Sequence, residues 1–166
     1  MGRFRYIFLI IAATLSSCIK LPQTFQRLSY HEGRIRIDKE RFYRVGPLGP
    51  RWSLSKSTHP DVRFYHRDLG ASIATSALCG TQFEDLPLPK LTQNLLADLA
   101  EVSIRRQTTL TLDGREALHT RASAKVDGVP VDLETVVVKK NGCQFDFMSV
   151  GKTGEDFLKF YSGFEY

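Results

Sequence analysis

Two dipeptides, Asp127-Gly128 and Asn141-Gly142, restrict the fold of this chain more than any other feature. Asp-Gly and Asn-Gly supply the positive φ angles of a type I′ turn, the tight link between antiparallel strands. Placed between apolar segments, they predict a meander from Glu116 to Val150. With two-residue loops the register follows by counting outward from each turn. The first hairpin sets Ala124 opposite Val131 and Ala122 opposite Leu133, with Arg121 facing Glu134 and Ser123 facing Asp132 on the other side. Opposite charges across a strand pair favour that register by about 0.2–1 kcal/mol. The second hairpin sets Val138 opposite Phe145 and Val136 opposite Phe147.

Near the second turn the other side is also apolar, with Val137, Thr135, Met148 and Val150. A sheet solvated on one side would alternate, so this one needs cover on both. Two segments with helical spacing can provide it. Within PLPKLTQNLLADLAEV, Leu91, Leu95, Leu99 and Val102 form one stripe over three to four turns, with Pro89 in the first turn. Within TGEDFLKFYSGFEY, Thr153 and Asp156 suit a variant capping box. Phe157, Phe160, Tyr161 and Phe164 then make the stripe, and Gly163 the stop. Upstream, strands are expected over 42–45, 51–54, 62–66 and 71–79, with Trp52 and Leu54 facing the core and Gly46-Pro47-Leu48-Gly49-Pro50 as a rigid turn. The expected fold class is α+β, an antiparallel meander covered by helices on both faces.

Gly114-Arg115-Glu116-Ala117, the two hairpin turns, and a cysteine at Cys79 answered by one at Cys143 resemble bacterial lipoproteins of the PsbP-like fold. The likeness spans about residues 42–166. It implies an α/β/α sandwich and a non-enzymatic accessory or binding domain, and it brings no active site to carry over.

The N-terminal stretch fits the same class. Arg3 and Arg5 precede an apolar run from Tyr6 to Leu15, too short to span a bilayer as a helix. Leu15-Ser16-Ser17-Cys18 resembles a lipobox. Residues 1–17 are therefore expected to be a lipoprotein signal peptide. Cys18 is the expected lipidation site, 18–41 a tether and 42–166 the domain. Ile19, in the place where an aspartate would favour inner-membrane retention, points to an outer-membrane anchor facing the periplasm. Cys79 and Cys143 are then an even pair in an oxidising compartment. A disulfide between them, the working expectation, would close a loop of about 65 residues worth about 4 kcal/mol. The alternative is two separate buried thiols.

Charge excludes little. Without the two signal arginines, 21 Lys and Arg face 18 Asp and Glu. The signs are interspersed, whereas nucleic-acid binders concentrate basic residues in one stripe. Nucleic acid is not an expected partner. Arg105-Arg106 and Lys139-Lys140 are read as solvated surface.

No catalytic constellation emerges. His31, His59, His66 and His119 lack the spacing of a zinc helix, so no metal or cofactor is expected. His66 and Asp68 alternate but have no marked nucleophile. Glu84-Asp85 is read as favourable charge ahead of a helix. The remaining functional candidate is the charged hairpin face of His119, Arg121, Lys125, Asp132 and Glu134, a contact surface for another envelope protein. The aromatic residues of the last helix, with Phe145 and Phe147, raise an alternative: a carrier or sensor of a small apolar ligand or lipid.

Overall fold

The computed structural model describes residues 28–55 and 61–166. The chain runs β1 (Ser29–His31), β2 (Arg34–Arg36), β3 (Phe42–Arg44), β4 (Trp52–Leu54), β5 (Val62–His66), β6 (Ala71–Cys79), a 3-10 turn (Gly80–Gln82), α1 (Leu88–Leu95), β7 (Ala100–Leu112), β8 (Arg115–Val126), β9 (Val129–Lys140), β10 (Cys143–Val150) and α2 (Glu155–Ser162). Strands β4 to β10 form one antiparallel sheet in the order β4-β5-β6-β10-β9-β8-β7, and β1-β2-β3 form a second, small sheet.

The meander has the register counted from its turns. Ala124 lies opposite Val131, Ala122 opposite Leu133 and Arg121 opposite Glu134, while Val138 lies opposite Phe145 and Val136 opposite Phe147. Asp127 and Gly128 have φ of 51° and 79°, and Asn141 and Gly142 have 50° and 71°, as a type I′ turn requires. Asp113-Gly114 makes a third such turn, with φ of 45° and 72°, joining β7 to β8.

The fold is α+β, but its cover is thinner in helix than expected. On one face α2 packs Phe157, Phe160 and Tyr161 over the sheet, and Phe164 beyond it joins the same core. The rest of that layer is strand. Ile35, Ile37 and Tyr43 of the small sheet region are fully or nearly fully buried there. The Tyr43 hydroxyl meets the Thr75 hydroxyl at 2.9 Å. Residues expected as tether therefore divide: 18–27 lie outside the described residues, whereas Leu28 and the strands after it belong to the core.

On the other face α1 places Leu88 and Leu91 against Leu118 and Val137. This helix is two turns long, shorter than its apolar stripe suggested. The chain turns after Leu95 and enters β7 at Ala100. Leu99 and Val102 still pack beside Leu96, Ala122 and Leu133, so the stripe reports burial correctly while the backbone changes type. Two smaller expectations are corrected. Trp52 is buried as expected, but Leu54, at the end of the same three-residue edge strand, is half exposed. The capping box does not form: Gly154 is the N-cap, and Thr153 contributes its backbone carbonyl to the Asp156 N–H.

Candidate functional site

The five residues of the expected contact face come together on the β8–β9 hairpin, on the α2 side of the sheet, where His119 borders that helix. Alternation places His119, Arg121 and Lys125 of β8 on one side, with Glu134 and Asp132 of β9 across from Arg121 and Ser123. The Glu134 Oε2 atom is 2.8 Å from His119 Nε2 and accepts from Arg121 Nε at 3.3 Å. The His119 ring lies 5.9 Å from that of Tyr161, at the boundary with α2. Lys125 is not paired within the hairpin; it donates to Glu101 of β7 at 2.8 Å. Asp132 likewise accepts from Arg105 of β7 at 2.8 Å.

Strand β7 thus completes the face, and an irregularity in it supplies an unexpected residue. The β7–β8 register shifts twice, between Ala100 and Ser103 and between Ile104 and Arg106. Such bulges redirect side chains that regular alternation would send to opposite sides. Here Arg105 reaches Asp132, and its neighbour Arg106 shares a shallow groove of about 220 Å³ with Thr108, His119 and Arg121. Arg106 is paired directly with Arg121 across the strands. Like charges in that position repel unless something neutralises them. Glu101, Asp132 and Glu134 are already engaged by Lys125, Arg105 and the His119–Arg121 pair. Arg106 has no anionic partner among the described residues. Arg105-Arg106 stood in the sequence as a solvated pair; only the bulge brings both to this face.

A second concavity, of about 410 Å³, opens on the opposite side between α1 and strands β6 and β10, with Ser76, Leu91, Asn94, Gln144 and Asp146 among its walls. Asp146 is buried. It accepts from Gln144 Nε2 at 2.8 and 3.0 Å and from Ser76 Oγ at 3.2 Å, and no cation is among these partners. Burial pushes its carboxyl up to about 6, against the lowering effect of those hydrogen bonds. Sequence reasoning passed over Asp146 because its strand neighbours are apolar and nothing nearby carries a motif.

The other sequence candidates scatter. His66 is buried against Trp52, with ring centroids 5.2 Å apart, and its Nδ1 accepts from the Leu69 N–H. Asp68 lies exposed in the following turn, so the two form no dyad. His31 is exposed beside Glu32. Lys139 binds Asp85 at 2.6 Å and the Leu86 carbonyl, and Lys140 binds Asp113 at 2.5 Å, so this pair fastens loops. Asp85 therefore serves Lys139, and the first turn of α1 holds no acidic residue. Cys79 and Cys143 are joined, directly opposite one another on β6 and β10. Phe145, Phe147, Phe160 and Phe164 pack on one another in the core and line neither concavity. Among the described residues no cluster of three or more His, Cys, Asp or Glu is placed to hold a metal, and no helix is long and apolar enough to cross a membrane. Cys18, residues 1–17 and His59 lie outside the described residues.

No family model and no curated protein sequence matches this chain. Solved structures do. A protein from Bacteroides thetaiotaomicron VPI-5482 aligns with a TM-score of 0.53 and 12% identity over 74% of this chain and 44% of its own. The chain therefore spans less than half of that protein, and the likeness is one of fold. Cyanobacterial PsbP (CyanoP) from Synechocystis sp. PCC 6803 aligns at 0.49 and 14% identity, over 91% of this chain and 98% of its own. LpqN of Mycobacterium tuberculosis, described as involved in cell envelope biogenesis, aligns at 0.48 and 17% identity, over 72% and 80%.

Proposed function

We propose that this chain is a non-enzymatic, lipid-anchored accessory domain of the bacterial cell envelope that binds another envelope protein through the β7–β8–β9 face. The observation that carries the reading is the charge arrangement there. Three carboxylates are each held by a cation, and Arg106 is left over, directly across from Arg121 and beside a groove. A partner's carboxylate at Arg106 would relieve that repulsion. Complementary charges of this kind steer encounter and fix register more than they add affinity.

The anchor half of the reading rests on the N-terminal residues. Arg3, Arg5, the Tyr6–Leu15 run and Leu15-Ser16-Ser17-Cys18 make Cys18 the lipidated residue, and Ile19 favours the outer membrane. The Cys79–Cys143 disulfide supports an oxidising, periplasmic setting. Even fully extended, residues 19–27 span no more than about 30 Å, so the partner would lie close to the membrane surface.

Native mass spectrometry of the full chain, extracted from its own membrane in mild detergent, tests the reading. A stoichiometric protein partner is expected, lost when Arg121 and Lys125 are both changed to Glu. A chain that comes off alone, or a partner that stays on the doubly reversed variant, contradicts it.

A further inference from the structure

We propose that the outer edge of β7, from Gln107 to Leu112, takes up an extended acidic segment of a partner protein as an eighth strand of the sheet. This rests on the reading of the β7–β9 face as the binding face, and it specifies the partner's chemistry and conformation.

Strand β7 closes one end of the sheet with 13 residues, most of them exposed, and among the described residues no strand pairs with its outer side. Its turn fixes which backbone groups are free. A two-residue loop at Asp113-Gly114 makes Leu112 and Arg115 a hydrogen-bonded pair. Alternation then directs the N–H and C=O of Leu110 and Thr108 toward β8, and those of Gln107, Thr109 and Thr111 outward.

Edge strands are ordinarily blunted with bulges, charge or proline. The first half of β7 has such devices: two register shifts, Glu101 with φ of 52°, and the two arginines. From Gln107 to Leu112 there are none. The register is unbroken, and the sequence QTTLTL has no charge, Pro or Gly and is rich in Thr, a strand former. One half of the edge is protected and the other is open.

Charge decides what fits. A second copy of this chain, pairing antiparallel through the same outward groups, would set Arg106 opposite Ile104, Arg106, Thr108, Leu110 or Leu112, depending on register. None is acidic, and both copies' arginines would crowd one seam. An acidic strand instead brings a carboxylate to Arg106 and into the groove lined by Thr108, His119 and Arg121. Backbone bonds then give affinity, and side chains on one side give specificity.

The test uses the full chain in detergent and a fluorescent peptide, Thr-Val-Glu-Val-Thr-Val-Glu-Val, against its counterpart with Lys for Glu. Saturable anisotropy change is expected with the acidic peptide, about tenfold weaker binding with the basic one, and slowed amide exchange at Gln107, Thr109 and Thr111. Arg106→Glu, at an exposed side chain that supports no fold contact, should weaken the acidic peptide about tenfold. Thr109→Pro, which removes an outward donor and leaves the β8 bonds, should abolish binding. Absence of binding up to about 1 mM, equal affinity for both peptides, or indifference to Arg106→Glu overturns the inference. A native partner lost on reversal of Arg121 and Lys125, but leaving the three amides unprotected, overturns this inference alone and leaves the binding function standing.

Discussion

Gly163 and Gly46 meet backbone to backbone: a methyl group on Gly163 would sit 2.3 Å from the Gly46 nitrogen. One built on Gly46 would lie 1.9 Å from the Lys159 carbonyl oxygen, and the Gly46 N–H already donates to the Phe160 carbonyl at 2.8 Å. Just beyond, Glu165 bridges to Arg44 of β3. This junction holds the end of α2 to the small sheet, and with it the helix that borders His119.

Gly46→Ala and Gly163→Ala should therefore each cost about 3 kcal/mol, because backbone cannot yield as a side chain would. Gly49→Ala, with nothing within 4 Å of the added carbon, is the control and should be close to neutral. Urea melts of the three variants measure this; equal effects at all three positions would contradict the close approach.

The disulfide joins strands that are already neighbours in the sheet, with Cα atoms 4.2 Å apart. Its expected contribution comes from the 64-residue separation it closes in the unfolded chain. The double variant Cys79→Ala/Cys143→Ala should lose about 2–4 kcal/mol in denaturant unfolding. A midpoint unchanged from the oxidised protein would show that the sheet contacts suffice.

Asp146 gives the fold a pH dependence of unusual sign for a carboxylate. Its folded value of about 6 lies above the ordinary 3.8 because burial disfavours the charge. Between those values the folded state holds a proton that the unfolded state has released. Stability from this group is thus full below 3.8 and falls as pH rises to about 6, by about 3 kcal/mol at most. Asp146→Asn, which keeps the shape and avoids the charge, should melt higher than the parent at pH 7.5 and converge with it near pH 4. Parallel curves across that range would contradict the buried-carboxylate account.

Much of the large sheet was legible because type I′ turns leave no freedom in register once their two residues are known. The Arg121–Glu134 pairing was read for that reason. Strand β7 was not, since an edge strand exposed on both sides has no apolar alternation to betray it. The overlong helix has a related cause: Leu99 and Val102 keep helical spacing because the same hydrophobic cluster collects them, although from a strand. The small sheet was legible in part: β3 was expected within 42–45, but strands of three residues bury single side chains such as Ile35 and Tyr43 and show too little alternation to reveal their pairing. At the candidate site, Glu134 and its partners followed from register. Arg106 depends on a bulge, which no spacing rule encodes.

The proposed lipid anchor predicts a sharp fractionation result. Two or more acyl chains hold a protein firmly, at about 0.8 kcal/mol per buried methylene, whereas none leaves it in solution. Cys18→Ala should move the protein from the membrane to the soluble periplasmic fraction. Retention of the variant in carbonate-washed membranes would contradict the assignment.

The most direct measurement is a photo-crosslinking map of the full chain in living cells. The crosslinker is placed singly at 106, 121 and 125 on the proposed face, and at 63, 65 and 94 on the opposite side. One discrete protein adduct, formed from the first three positions and absent from the others, is the predicted result. Adducts concentrated at 63, 65 and 94, or none from any position, would contradict the claim that the β7–β8–β9 face is where this domain binds.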